Sequence, residues 1–71
     1  MITDEGAVKR AAEEFVNASS KAYRGRAGPA VLADGAWRVV VYLESRDSAA
    51  VVDAHTVLLV DVATAAVRRA R

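Results

Sequence analysis

The chain has no cysteine, and only one proline, one tryptophan, one phenylalanine and one histidine among its 71 residues. Without cysteine there is neither a disulfide staple nor a thiolate metal site. A lone histidine among scattered carboxylates has no zinc-ligand spacing, so no metal or cofactor is expected. No apolar run approaches the roughly 18 residues of a membrane-crossing helix. The N-terminal MITDEGAVKR is polar and acidic and has no secretory pattern. The expected location is cytoplasmic, whether as a whole protein or as a domain of a longer one. An excess of one charge is lacking too. Ten Lys and Arg stand against nine Asp and Glu, and a net charge of +1 favours no dominant attraction to nucleic acid or to a membrane surface.

What the chain does have is aliphatic bulk, with 54% of residues in the hydrophobic set. A domain of this length buries only about 60% of its unfolded surface, so a partner is the natural source of added stability. Two basic clusters stand out, Lys21/Arg24/Arg26 and Arg68/Arg69/Arg71. The second is a candidate anion contact, although a solvated strand end is the plainer reading.

The spacing predicts one helix from about residue 4 to 22, capped by Thr3 or Asp4, with Val8, Ala12, Phe15, Ser19 and Ala22 as its apolar stripe. Arg24 to Pro29 (RGRAGP) is expected to end it as a loop. Strands are expected over about 30–33, 36–45, 50–62 and 66–70. Asp34-Gly35 is a strong two-residue hairpin signal, because such a turn needs positive φ. A four-residue turn over Arg46 to Ala49 would place Val41 opposite Ala54 and Trp37 opposite Leu58. A turn at Thr64-Ala65 would set Asp61 beside Arg68, with Ala65 where glycine fits more easily. The expected fold is α+β: one N-terminal helix packed on a four-stranded antiparallel meander, as a single domain.

Alternation then separates two sheet faces. Trp37, Val39, Val41, Leu43, Leu58, Val60 and Val62 should lie under the helix. The other face should carry Arg38, Val40, Tyr42, His55, Val57 and Leu59, an apolar centre with a charged rim completed by Glu44, Asp53 and Asp61. That is the anatomy of a protein interface, and these six residues are the expected contact set. A second copy is the first expected occupant and a different protein the second. Nucleic acid is not expected, since Trp37 and Tyr42 point to opposite faces and cannot form one stacking platform.

Candidate chemistry is sparse. Tyr42, Asp53 and His55 form a possible polar cluster for acid–base work, but neither a nucleophile nor an oxyanion donor accompanies it. The serines sit in helix-end and turn contexts. Gly25 and Gly28 beside Arg24 and Arg26 could cradle a phosphate, but they lack the strand and helix that frame a phosphate loop.

Asp34 to Arg46 (DGAWRVVVYLESR), Asp53, Val57 to Asp61 (VLLVD) and the terminal RRAR together resemble the C-terminal domain of gas vesicle protein O. That family's proline after the arginine, and its tyrosines among the final arginines, are absent here. The helix-plus-meander plan is also similar to small PepSY-type, cystatin-like and NTF2-like domains. Their common V-D-x-x-T-G-x-V phrase corresponds to Val60–Val67, without the glycine. These resemblances imply an accessory, inhibitory or binding role and transfer no catalytic residue. The expected function is a non-enzymatic module that self-associates through its outer sheet face, of gas-vesicle-accessory type. The alternative is a small-ligand-binding or enzymatic cystatin-like domain using Tyr42, Asp53 and His55.

Overall fold

A computed structural model describes residues 2–46 and 51–70, the side chains of 51–53 excepted. Helix α1 (Glu5–Ser19) is followed by strands β1 (Tyr23–Ala33), β2 (Ala36–Ser45), β3 (Val51–Asp61) and β4 (Val67–Arg69). The strands form one antiparallel sheet in the order β1-β2-β3-β4. The α+β meander expected from the sequence is therefore the fold.

Asp4 caps α1, its carboxylate accepting from the Ala7 amide at 2.9 Å. One i,i+4 row, Val8, Ala12 and Val16, is buried on the sheet, and Phe15 packs at its margin. The helix stops three residues before the expected Ala22, and Val16 rather than Ser19 continues the buried row. Under it lie Val39, Val41, Leu58 and Val60, all fully buried, flanked by the half-buried Trp37 and Leu43. Val62, also expected there, falls in the loop after β3. The Trp37 indole donates to the Ile2 carbonyl (3.2 Å) and the Ile2 amide to the Val62 carbonyl (2.8 Å), which fastens the N-terminal segment across the sheet end.

The largest correction concerns β1, which begins at Tyr23 and so includes the segment expected to be a loop. Its glycines serve packing rather than turning. A Cβ on Gly25 would lie 2.8 Å from Val41 Cγ1 and 2.9 Å from Val16 Cβ, so helix and sheet approach closely only because this position has no side chain. Gly28 and Pro29 fall within a register irregularity between Ala27 and Ala30, and proline is tolerated on such an edge strand because no ladder amide is lost. As an edge, β1 would expose unpaired amides, but α1 covers them. The Gly25 amide donates to Asn17 Oδ1 (2.9 Å) and the Ala27 amide to Glu13 Oε2 (2.7 Å). One helical turn between acceptors matches two strand residues between donors, and the first half of this sheet edge is capped. Arg46 ties the other end, donating to the carbonyls of Tyr23 and Asn17 at 2.9 Å each.

The β2–β3 register differs by two residues from the expectation. Glu44 pairs with Val51 as expected, but beyond an irregularity Tyr42 pairs with His55, Val41 with Thr56, Val39 with Leu58 and Trp37 with Val60. One residue on β2 there opposes three on β3. Because side chains alternate with period two, this slip leaves every residue on its expected face. The turn assigned to residues 46–49 falls mostly outside the described residues.

Asp34 (φ 53°) and Gly35 (φ 78°) form the expected hairpin turn. The last turn is longer than expected: the Ala65 amide donates to the Asp61 carbonyl and the Asp61 amide to that of Ala66. Arg68 consequently pairs with Leu59, not with Asp61. Asp61 Oδ1 accepts from the Ala63 and Thr64 amides at 2.8 and 3.0 Å, and these donors, with a smaller contribution from the Arg68 charge, hold its carboxyl below the usual range. Ala65 takes φ 62°, a conformation that costs an L-residue about 1–2 kcal/mol. Glycine would relieve that cost but loses about 0.4–1 kcal/mol through the unfolded chain. Ala65→Gly is therefore expected to raise the melting temperature by a few degrees in a circular-dichroism melt. A fall would contradict this reading of the turn.

Candidate functional site

The helix lies on one side of the sheet and leaves the opposite face open. The ladder places residues on that face in rows. One row runs Val31, Arg38, Leu59, Arg68 across all four strands. The next holds the cross-strand pair Val40 and Val57, and the third runs Arg26, Tyr42, His55. The six expected contact residues thus form three adjacent pairs: Arg38–Leu59, Val40–Val57 and Tyr42–His55. Val40, Val57 and Leu59 are half-buried by their neighbours, while Val31 and Tyr42 remain 59% and 48% exposed.

Two members of this surface escaped sequence reasoning. Val31 extends the apolar centre onto β1, and Arg26 joins the rim. The signal for Val31 lay in the Asp34-Gly35 hairpin, since pairing Ala33 with Ala36 forces Val31 opposite Arg38. Arg26 was hidden because its segment reads as a loop. The rim is more basic than expected. Arg24 and Arg26 lie 3.4 and 3.8 Å from Glu44, exposed pairs that contribute little to stability. Arg38 and Arg68 have no carboxylate within ion-pair distance among the described residues.

The polar cluster is only partly assembled. Tyr42 and His55 are direct cross-strand partners, both exposed. The side chain of Asp53 lies outside the described residues. The Tyr42 ring rests on the sheet where Gly28 has no side chain: a Cβ there would be 2.6 Å from Tyr42 Cε2. Tyr42 therefore covers backbone that glycine leaves bare. A hollow on this face is lined by Val31, Arg38, Leu59 and hairpin residues, and reaches neither Tyr42 nor His55.

The basic C-terminus divides rather than clusters. Alternation puts Arg68 on the open face beside Leu59, whereas Arg69 turns to the helix side. Arg71 lies outside the described residues. Arg69 there lines a groove of about 170 Å³ between the C-terminal half of α1 and the sheet, with Phe15, Leu43, Thr56 and Leu58. Nothing in the sequence flagged this groove, because its walls come from elements spread along the chain from α1 to β4. Gly25 and Gly28, considered for a phosphate cradle, lie within β1 and are occupied by packing.

Among the described residues no cluster of three or more metal-ligating side chains occurs, and no helix is long and apolar enough to cross a membrane. No protein-family model, curated protein or solved structure matches the chain.

Proposed function

We propose that this chain is a non-enzymatic interaction module that pairs with a second copy of itself through the open sheet face, in an accessory or assembly role of the gas-vesicle-accessory kind. The observation that carries this reading is the contiguous patch of Val31, Val40, Tyr42, Val57 and Leu59 on a face that no element among the described residues covers. Glu13 and Asn17 cap the Gly25 and Ala27 amides, which disfavours strand addition along the first half of β1.

The arginines constrain how two copies meet. Arg38 and Tyr42 lie symmetrically about Val40, and Leu59 and His55 about Val57. A two-fold axis crossing the strands over the Val40–Val57 pair sets Arg38 over Tyr42 of the second copy and Arg26 over its Val31. Like charges are thereby kept apart, and two cation–π contacts form. With strands about 4.8 Å apart and a rise of about 3.4 Å per residue, seven residues of β1, β2 and β3 and the short β4 cover on the order of 400 Å² per copy. Two copies would bury about 800 Å², less than the roughly 1,200 Å² of standard interfaces, so the dimer is expected to be weak.

Val57→Asp tests the face. Val57 points away from the helix, so the variant should remain folded, its melt lowered only by the loss of a half-buried strand valine, while its dimer dissociates in sedimentation. A variant that self-associates as strongly as the parent would remove this face from the interface.

A further inference from the structure

The groove on the helix side is independent of the proposed dimer face. We propose that it binds a small monocarboxylate with an apolar body, the carboxylate held by Arg69 and the body by Phe15 and Leu43 above the buried Leu58. Helix α1 lies mainly along β1, so a hollow remains between its C-terminal half and the far strands β3 and β4. Its volume, about 170 Å³, is close to that of engineered apolar cavities of roughly 150 Å³ that accept benzene. That sets the body at a single ring or a short branched chain.

Charge selects the head group. Arg69 is the sole cation lining the groove, and among the described residues it has no carboxylate within ion-pair distance. One guanidinium matches one negative charge, and its planar fork pairs bidentately with a carboxylate. A phosphate dianion would be left half-neutralised against apolar walls. The Ser19 hydroxyl proton is already engaged, donated to the Phe15 carbonyl at 2.6 Å, whereas Ser20 Oγ accepts from the Tyr23 amide at 3.1 Å and keeps its own O–H. Recognition of the charge therefore falls to Arg69, with the hydroxyls of Ser20, Tyr23 and Thr56 as further donors lining the groove.

Benzoate is a suitable probe, titrated into the full chain and followed by amide chemical shifts. A ligand of this size is expected to saturate with a dissociation constant on the order of 0.1–1 mM, shifting the amides of Tyr23, Thr56 and Leu58. Benzyl alcohol has the same body without the charge and should bind at least about tenfold more weakly, and inorganic phosphate should produce no saturable change. Arg69→Gln should reduce benzoate binding by at least about tenfold while leaving benzyl alcohol unchanged. Absence of saturable benzoate shifts, equal binding of the two aromatic probes, or indifference to Arg69→Gln would each overturn the proposal. Should Arg69→Gln fail to fold, the comparison of the two probes on the parent chain decides the matter.

Discussion

Leu58→Ala is expected to lower stability by about 2–3 kcal/mol and the melting temperature by roughly 10–20 °C. Leu58 is fully buried, opposite Val39 on the sheet and beneath the helix. Leucine-to-alanine changes in cores cost about 2–5 kcal/mol, of which part is the void left behind. Here the void would open into the groove that Leu58 already lines, so water can enter and the cavity contribution shrinks. The loss should therefore fall in the lower half of the range. Even so it is a large fraction of the roughly 4–10 kcal/mol expected for a domain of this size. Leu32→Ala, at a site 53% exposed, should move the transition by no more than a few degrees. Comparable melts for the two variants would mean that the core is not centred on β3.

Gly25→Ala is the second large effect, and it acts by overpacking. The added methyl would meet Val41 Cγ1 and Val16 Cβ inside 3 Å. Neither atom is the tip of a flexible chain: one belongs to a buried central strand, the other is anchored directly to the helix backbone. The helix must move, and with it the bonds that Asn17 and Glu13 make to the β1 edge. A cost of about 1–3 kcal/mol follows, measurable as a reduced denaturant midpoint. Loss of the edge caps would also expose strand amides, so the variant should aggregate more readily than its stability alone predicts. An unchanged midpoint would show that the helix rides higher over β1 than described.

These two sites mark how far the sequence can be read. Elements governed by local chemistry were legible: the Asp4 cap, the Asp34-Gly35 turn, and the alternation that assigns Val39 and Val41 to the core but Val40 and Tyr42 to the open face. The strand register was legible only modulo two, because the hydrophobic pattern reports the face and not the partner. An irregularity near Tyr42 shifted the pairing without disturbing the pattern. β1 was hidden because Gly25, Gly28 and Pro29 are turn residues by local rules. Their role in a strand comes from contacts with Val16, Val41 and Tyr42, which local composition does not encode. The groove at Arg69 was hidden for the same reason.

Self-association through the open face is the central functional claim, and the mass in solution tests it most directly. Sedimentation equilibrium from about 5 to about 500 micromolar should show a chain of 7.5 kDa approaching twice that mass at the upper end, as a weak interface requires. The same series with Val57→Asp should stay at the mass of one chain. A parent protein that remains a monomer throughout would contradict the account.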